Sequence, residues 1–441
     1  MPENDLQTRR TARSWGGEGA MGAGATAPLP PDRLVSADFY RGAVMLLMMG
    51  ELLRFSQVAK AFPESRFWQF LARHQTHVEW TGLTLHDLIQ PSFSFLVGLG
   101  LAYSVAARKQ RGESFRSQAL HAGWRSLLLI AMGVWLRTAP NQPTNFTFED
   151  TLSQIGLGYF PLFLLATVAW PWQAVAVVGL LLATFGAFAL FPLPAESLDL
   201  TTVGVTPEFA TQHNATGFLA HWNKNTNFAF AFDRWFLNLF PRPEPWQFNR
   251  GGYSTLNFVP TLATMLLGLL AGGWLRRSIA AWPKLLGLWG SGVALLGLGW
   301  AAEHYGVCPS VKRIWTPAWV LVSGGWCCLL LGLCYAILDW GGWRRWAWPV
   351  TLVGMNSIAA YFLAHGFESY LEARFNSHFG AGWPSFLGDP WKGLARGAIL
   401  LLSLWLVLAW LYRRRIFIRV LKTPARRNTA HPQAGRPRLG V

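Results

Sequence analysis

Imidazole and carboxylate side chains are concentrated in one short polar stretch of the sequence. Residues 74 to 87 read HQTHVEWTGLTLHD, and an apolar segment that ends near Ala107 follows directly. Imidazoles and carboxylates are the side chains that most often transfer protons in enzymes. Ionisable groups at the end of a membrane helix are functional candidates by default. The chemistry of this stretch therefore depends on the elements that position it.

The rest of the sequence is typical of a helical membrane protein. Of its 441 residues, 52% are hydrophobic and 14% are charged, whereas soluble domains have roughly 25% charged residues. Repeated apolar segments approach the ~20 residues that cross a bilayer, and tryptophans at their ends suit the headgroup layer. We predict an all-α bundle of ten transmembrane helices, at residues 36–55, 87–107, 118–136, 151–170, 173–191, 255–275, 283–301, 318–339, 347–367 and 394–412.

The two ends of the sequence differ from this membrane part. Residues 1–32 are rich in Gly, Ala, Pro and Arg, have no apolar core like that of a signal peptide, and are predicted to be disordered. We assign residues 33–420 to one membrane domain with a large loop at 192–254, and residues 421–441 to a disordered basic tail. The four cysteines have no spacing typical of disulfides or of a metal site.

The distribution of charge predicts which side of the membrane each connection faces. The connections after the second, sixth and eighth segments and the C-terminal tail are basic, whereas the opposite connections carry most of the acids. Because basic connections stay in the cytoplasm, both termini are predicted to be cytoplasmic and the polar stretch extracytoplasmic. The net charge of +16 then indicates contact with membrane lipid, and we do not expect nucleic acid binding. In a bacterium the membrane would be the cytoplasmic (inner) membrane.

The large loop, residues 192–254, is predicted to lie on the same outer side as the polar stretch. It combines amides, aromatic rings and charges, including Asn223, Asn225, Asp233 and Trp246. Such a mixture is typical of a sugar-binding surface. The alternative is a solvated loop that caps the bundle, since loops are normally polar.

Some of the polar residues have a structural interpretation. Thr84 with Asp87, and Thr147 with Asp150, match a capping box at the outer ends of the second and fourth segments, where acids also meet the positive end of the helix. Asp38 and Arg41 are three residues apart and are predicted to form a pair on one helix face.

Other polar residues lie inside apolar segments and need partners there. Glu51, Arg125, Gln154 and Asn356 are each surrounded by apolar sequence. An unpaired polar group in hydrocarbon costs several kcal/mol, and one shared cavity would satisfy several such groups at once. We therefore predict that Glu51, Arg125 and Gln154 border a common cavity with His77, and that Asn356 and Ser357 point into the bundle.

Six sequence motifs carry a resemblance to a known family. They are RLVSADFYRG at 33–42, HVEWTGLTLHDL at 77–88, WRS at 124–126, DR at 233–234, KRIWT at 312–316 and GMNSI at 354–358. In order and spacing they resemble the motifs of the transmembrane heparan-α-glucosaminide N-acetyltransferase family, from about residue 33 to residue 420.

The resemblance implies a ten-helix core that transfers an acetyl group from cytosolic acetyl-CoA to a glucosamine amine on the outer side. The His-x-x-Trp-x-Gly-Leu-Thr motif of the family implies that the catalytic residue is His77. A neutral imidazole with a pKa of ~6.5 can accept the proton of an attacking amine or hydroxyl, or can itself take the acetyl group. The alternative is a solvated loop histidine, and we interpret His74 and His86 as bystanders.

Further site residues are predicted around His77. For the acceptor, a sugar or glycan, they are Glu51, Glu79, Asp87, Glu149, Asp233, Asn257 and Asn356; for the acyl-CoA they are Trp124, Arg125 and Gln154. No metal is expected, and a homodimer is left open.

The sequence departs from the family pattern at four places. Thr81 replaces an Asn, Glu51 and Leu52 lie near the Asn that usually ends the first segment, Ser153-Gln154 replaces Gln-Arg, and GGYS at 251–254 replaces Asp-Pro-Glu-Gly. An acceptor or donor should be held at these positions, so the resemblance does not identify the substrate.

Two functions from different classes are compatible with these observations. One is a membrane acyltransferase that acts on an extracytoplasmic sugar or glycan. The other is a transporter or flippase that passes a polar solute through the same cavity. A transporter built from repeats should show matching interrupted helices in its two halves, and the sequence shows no such internal symmetry, which favours the enzyme.

Overall fold

The structure, a computed structural model, describes residues 34–138, 142–380, 382–384 and 388–418. These residues are all-helical apart from one isolated bridge between Thr81 and Val311. The α-helices are α1 Val35–Met49, α2 Phe55–Ala61, α3 Arg66–His74, α4 Ile89–Gln110, α5 Phe115–Arg137, α6 Thr151–Ala166, α7 Trp170–Ala189, α8 Pro207–His213, α9 Phe228–Phe236, α10 Phe258–Leu275, α11 Ala281–His304, α12 Pro317–Tyr335, α13 Trp348–Met355, α14 Ser357–Phe362, α15 Glu368–Phe379 and α16 Asp389–Arg413. The tails predicted to be disordered, 1–32 and 421–441, lie outside the described residues.

The chain is an integral, multi-pass membrane protein. Seven helical segments of the described residues are long and apolar enough to cross a bilayer: His86–Gln110, Phe115–Arg137, Trp170–Ala189, Thr255–Leu275, Ala281–His304, Pro317–Trp340 and Asp389–Arg413. Two bent pairs raise the number to nine. Val35–Leu53 meets Phe55–Ala61 at 47°, and Arg345–Met355 meets Ser357–Phe379 at 69°.

The fourth predicted segment, residues 151–170, is a helix but is too short to count as a span. This helix, α6, has 16 residues, which corresponds to about 24 Å of helix, whereas the hydrocarbon core is about 30 Å thick. The length and composition of the described helices therefore support seven to nine spans instead of ten.

Glycines bring the central helices into close contact. A Cβ on Gly98 of α4 would overlap the carbonyl oxygen of Met265 on α10, and a Cβ on Gly268 would overlap that of Phe95. The same occurs between α1 and α13, where Gly354 faces the carbonyl of Asp38. Small residues allow helix backbones to approach in this way when the surrounding lipid supplies no hydrophobic driving force. These contacts fix α4 relative to α10, and α1 relative to α13.

The loop 192–254 is folded, which argues against a simply solvated cap. Trp222 and Trp80 are 1% and 2% exposed and belong to one buried cluster with Phe188, Val311 and Ile314. The side-chain amide of Asn225 donates to the carbonyls of Val203 at 2.8 Å and Asn249 at 3.0 Å. This core joins the polar stretch around His77 to the segment that precedes α12.

Candidate active site

A polar cavity lies where several helices begin or end at the same side of the bundle. Its volume is ≈ 210 Å³. It is bordered by the end of α1, the start of α4, the end of α5 and the start of α6, and by the segments that precede α10 and α12. The titratable side chains in its wall include Glu51, His77, His86, Arg137, Glu149, Tyr253, Lys312 and His365. A larger cleft of ≈ 510 Å³ between α7, α10 and α11 is mainly apolar and lacks these groups.

His77, Asp87 and Lys312 form a hydrogen-bonded cluster in this cavity wall. His77 Nδ1 lies 2.8 Å from Asp87 Oδ1 and 2.9 Å from Lys312 Nζ. Lys312 Nζ lies 3.1 Å from the same carboxylate oxygen. The side chain of His77 is 37% exposed, whereas those of Asp87 and Lys312 are 0% and 5% exposed. The imidazole is thus the member of the cluster that a substrate can reach.

Local structure around the start of α4 fixes Asp87. Its Oδ2 accepts hydrogen bonds from the backbone N–H of Thr84 at 3.1 Å and of Val78 at 3.3 Å. The bond to Thr84 is the reciprocal half of the predicted capping box, in which an acid three residues on bonds back to the cap backbone. The Thr84 hydroxyl lies 2.9 Å from the same oxygen. Asp87 therefore both caps the helix and holds His77.

A tight turn before α12 places Lys312 in the cavity wall. The Thr316 side chain accepts from Val311 N and, as the N-cap of α12, from Trp319 N. Trp315 has a φ of 47° and is 1% exposed. Positive φ is uncommon for a residue other than glycine and is retained only where the surrounding packing enforces it. The backbone strain at Trp315 is consistent with a turn that must place Lys312 beside Asp87.

The protonation states of the cluster follow from burial and charge. Burial lowers the pKa of His77, and the nearby Lys312 ammonium lowers it further, against an opposing effect of Asp87. Burial lowers the pKa of Lys312 to about 8. His77 is therefore neutral and Lys312 still largely protonated at neutral pH. Two neighbours compete for His77 Nδ1: an ionised Asp87 only accepts hydrogen bonds, whereas the Lys312 ammonium only donates them. Because Lys312 can direct its protons to the carboxylate instead, we assign the His77 proton to Nδ1, which leaves the Nε2 lone pair free.

His86 and Glu51 form a second imidazole–carboxylate pair in the same wall. His86 Nε2 lies 2.6 Å from Glu51 Oε1, and the ring centroids of His77 and His86 are 4.5 Å apart. The sequence interpretation treated His86 as a bystander, but the structure places it inside the cavity wall. His74 is different, because its Nδ1 accepts from Leu85 N and it does not line the cavity.

The predicted acceptor-binding residues separate into two groups. Glu51 and Glu149 line the cavity and Asp87 lies just behind its wall, and burial raises the pKa of Glu149. The others are not among the lining residues. Glu79 contacts His213 at 2.9 Å, Asp233 accepts from Thr255 N at 2.9 Å, Asn257 donates to Arg313 O at 2.8 Å, and Asn356 donates to Ile416 O at 2.8 Å.

Asp233 and Asn356 show that a buried acid or amide can have a structural role instead of a role in substrate binding. Burial raises the pKa of Asp233 to about 6, yet its Oδ2 accepts a backbone hydrogen bond at the start of α10. Asn356 points into the protein, as predicted, and is 1% exposed. Its amide binds the backbone at Ile416 and Ile418 after α16. The neighbouring Ser357 is only half-buried.

The prediction that Arg125 and Gln154 border the cavity with His77 is wrong. Arg125 donates to the Tyr159 hydroxyl at 3.2 Å and lies over its ring, within the α5–α6 pair. The Gln154 amide donates to the carbonyls of Phe148 at 2.6 Å and Thr255 at 3.1 Å. Both side chains therefore find hydrogen-bond partners locally, although Arg125 Nε and Gln154 Oε1 have none among the described residues. Trp124 is 55% exposed, and the roles of these three residues towards acyl-CoA stay predictions.

The predicted Asp38–Arg41 pair is confirmed, whereas Asp150 caps its helix in a different way from the one predicted. Asp38 and Arg41 form the expected pair, with 3.2 Å between carboxylate and guanidinium. Asp150 caps α6, but it does so as the N-cap itself, accepting from Leu152 N at 2.9 Å and Ser153 N at 3.1 Å. It is therefore not the distal acid of a box that begins at Thr147.

Four residues without a predicted role in the site also line the cavity: Arg137, Tyr253, Lys312 and His365. The nearest indication was the KRIWT motif at 312–316, which marked Lys312 without showing its partner. Tyr253 lies in the segment where the sequence departs from the family pattern, and burial raises its pKa.

The fold and the cavity together define a class: a multi-pass helical membrane protein with a histidine held by a buried carboxylate at one end of its bundle. The chain is distantly homologous to heparan-alpha-glucosaminide N-acetyltransferase. It is 27% identical to the human protein over 219 residues, which is 43% of this chain and 30% of the human protein. It is 28% identical to the mouse protein over 144 residues, which is 32% of this chain and 20% of the mouse protein.

The matched regions thus span less than a third of the length of these relatives. No protein-family model matches the chain.

Proposed function

We propose that this protein is a membrane-embedded acyltransferase. It moves an acetyl or other acyl group from cytosolic acyl-CoA to an amine or hydroxyl of an extracytoplasmic sugar or glycan. The observation that carries the proposal is the hydrogen bond of 2.8 Å between His77 Nδ1 and the buried Asp87. It leaves Nε2 of a partly exposed imidazole free towards the cavity, as acyl transfer requires.

The neutral His77 has two ways to act. Its Nε2 can take the proton of an attacking acceptor, or it can attack the thioester carbon and carry the acyl group. In either case the imidazole becomes positively charged, and the Asp87 carboxylate at Nδ1 stabilises that charge. Lys312, 3.1 Å from Asp87, offsets the cost of burying this carboxylate while the site is at rest.

The cavity suits the reacting end of a polar acceptor. Typical small-molecule pockets have volumes of about 300 to 1,000 Å³, and this one has ≈ 210 Å³. Carboxylates of Glu51 and Glu149 and the hydroxyl of Tyr253 are available in its wall. These groups hydrogen-bond sugar hydroxyls and bind a protonated amine. A longer acceptor would extend towards the folded loop 192–254, where Glu79 and Asp233 are the predicted contacts.

The acyl donor has to approach from the opposite end of the bundle. Helix α4 runs from the cavity to Arg108 and Lys109 in its last turn, and its 22 residues span about 33 Å. That basic end is the predicted cytoplasmic side. Trp124 and Arg125 lie between the two ends of α5, with Arg125 about 18 Å from Arg137 along the helix axis. Both remain predicted acyl-CoA contacts, together with Gln154.

The relatives' printed name supports the reaction class. It describes an N-acetyltransferase acting on a glucosaminide of heparan, so transfer of an acetyl group to a sugar amine is the first reaction to test. The alternative, a transporter or flippase for a polar solute, would use the same cavity. It has no need for an imidazole oriented by a buried carboxylate.

The test uses purified protein in detergent and two readouts. A ligand that binds the folded state raises its stability by RT ln(1 + [L]/Kd), about 2.7 kcal/mol at a hundredfold excess over Kd, so CoA should raise the melting temperature. Acetyl-CoA with a glucosamine-terminated oligosaccharide should then release free CoA, measured with a thiol reagent. A glucose-terminated oligosaccharide separates amine from hydroxyl acceptors. Absence of both the CoA-dependent shift and thiol release would favour the transporter.

A further inference from the structure

Two imidazole–carboxylate pairs stand side by side in the cavity wall with opposite orientations. In the first pair the carboxylate of Asp87 is 0% exposed and the imidazole of His77 is 37% exposed. In the second pair the imidazole of His86 is 4% exposed and the carboxylate of Glu51 is 58% exposed. The two rings are 4.5 Å apart. The wall thus presents one imidazole and one carboxylate to the same space, each held by a buried partner.

The buried imidazole of His86 lowers the stability of the fold, which argues against a role in packing alone. His86 Nδ1 has no hydrogen-bond partner among the described residues, and its other nitrogen is committed to Glu51 at 2.6 Å. A buried polar atom without a partner costs about 1 to 3 kcal/mol. The arrangement therefore fixes Glu51 Oε1 at a cost in stability, while Oε2 has no hydrogen-bonded partner among the described residues. Such costs are typical of functional sites.

Transfer through His77 creates a need for a second base. Once Nε2 is bonded to an acyl group, Nδ1–H still donates to Asp87, so the ring has no lone pair left to accept a proton. The attacking amine or hydroxyl must then lose its proton to another group in the cavity.

The other groups in the wall are less suitable acceptors of that proton. Lys312 and Arg137 are cations and accept no proton. Glu149 is half-buried and has no side chain hydrogen-bonded to it among the described residues that would hold it in place. Asp150 has one oxygen committed to the N-terminus of α6. His365 donates from Nδ1 to the carbonyl of Tyr361 at 3.1 Å, but it has no ionisable side chain hydrogen-bonded to it among the described residues, whereas Glu51 has His86. Glu51 is the cavity carboxylate with an open oxygen and a neighbouring imidazole to hold it.

We infer that Glu51, positioned by His86, is the base that deprotonates the acceptor in the second half of the reaction. This inference rests on the proposed acyltransferase function and assigns its two tasks to different residues. His77 carries the acyl group, and Glu51 accepts the proton of the acceptor. His86 does not contact the substrate and is a positioning residue.

The two half-reactions balance as follows. In the first, His77 Nε2 bonds to the thioester carbon, the C–S bond breaks, and the electron pair leaves on the CoA thiolate, which takes a proton from solvent. In the second, the acceptor nitrogen or oxygen bonds to the acyl carbon and the C–Nε2 bond returns its electron pair to His77. The acceptor proton goes to Glu51 Oε2, which later releases it to solvent.

The experiment separates these two halves in purified protein. With acetyl-CoA alone, rapid mixing should release about one free CoA per active site in the wild type and equally in Glu51→Gln. With the amino-sugar acceptor added, steady-state transfer by Glu51→Gln should be lower by ~10² to 10⁴, the usual contribution of a positioned base. Glu113→Gln is the matched control, because Glu113 is paired with Arg108 and Arg111 at the other end of α4 and should leave both rates unchanged.

Two further variants distinguish a proton acceptor from a structural role. Glu51→Ala opens space beside His86, and added formate should restore part of its transfer rate. His86→Asn should slow transfer without abolishing the first release of CoA, and combining it with Glu51→Gln should cost little more than Glu51→Gln alone. Retained transfer in Glu51→Gln, or loss of the first release in that variant, would overturn the inference. Absence of the first release in a wild type that still transfers to the acceptor would also overturn the inference. Absence of CoA release even with the acceptor present would instead overturn the proposed function.

Discussion

Lys312 and Asp87 form a buried ion pair, with 3.1 Å between Nζ and Oδ1, across 225 positions of the sequence. The pair connects the turn before α12 to the start of α4, directly behind the imidazole of His77. Because both charges touch His77, its protonation should respond in opposite directions when either partner is neutralised.

Replacing Lys312 by Met should shift the activity profile towards higher pH. The Lys312 ammonium lowers the pKa of His77, so its removal raises that pKa. Activity that requires a neutral imidazole is lost as the pH falls through the His77 pKa, and this acid limb should therefore move upwards. The measurement is the pH dependence of kcat/KM, which reports the free enzyme. The burial-lowered pKa of Lys312, about 8, should also give the wild type an alkaline change near that pH that is absent from the variant.

Lys109→Met is the control for this shift. Lys109 is exposed in the last turn of α4, far from the cavity. An acid limb that moves to lower pH in Lys312→Met, or moves equally in Lys109→Met, would contradict the assigned contact.

Asp87→Asn should reduce transfer by a larger factor than its change in shape would suggest. An amide nitrogen next to His77 Nδ1 donates a hydrogen bond, which favours the tautomer with the proton on Nε2 and removes the free lone pair. In a serine protease triad the same exchange lowers kcat by about 10⁴, and we expect a loss of ~10² to 10⁴. The thermal stability of Asp87→Asn, recorded in parallel, shows whether the variant is folded. Transfer within threefold of wild type would mean that Asp87 only caps α4.

The helical scaffold could be predicted from the sequence because apolar length is a local property. Each predicted segment is mainly helical, although segment 347–367 is divided between α13 and α14. The spacing of His77 and Asp87 within one stretch indicated a shared site. The sequence could not show that Lys312 would join them, since its approach depends on how the turn at Trp315 packs. It also showed that Arg125 and Gln154 needed partners, but not that Tyr159 and local carbonyls would supply them.

The contact between Glu51 and His86 could not be predicted from the sequence either. Glu51 follows α1 and His86 precedes α4, and nothing in their spacing of 35 residues indicates contact. Their meeting depends on how α1 packs against α4 in the folded bundle.

Gly98→Ala should destabilise the protein by forcing α4 away from α10. A Cβ at this position would overlap the carbonyl oxygen of Met265, and overpacking of this kind costs about 1 to 3 kcal/mol. The expected result is a lower melting temperature in detergent together with reduced transfer, because the turn with His86 and Asp87 leads directly into α4. Gly179→Ala on α7 is the matched control, since nothing lies within 4 Å of a Cβ placed there. Equal melting temperatures for the two variants would show that the α4–α10 contact is looser than described.

His77→Ala separates the chemistry from the scaffold. The side chain of His77 is partly exposed in a connection outside the helices, so its removal should cost little packing. CoA should therefore still raise the melting temperature, while transfer falls by at least ~10² to 10⁴ and the first release of CoA disappears. His74→Ala is the control, because His74 is in the same stretch but only accepts a hydrogen bond from Leu85 N, and it should retain the wild-type rate. If His77→Ala keeps most of its transfer rate at saturating donor and acceptor, the imidazole is not the reacting group and another residue of the cavity must be.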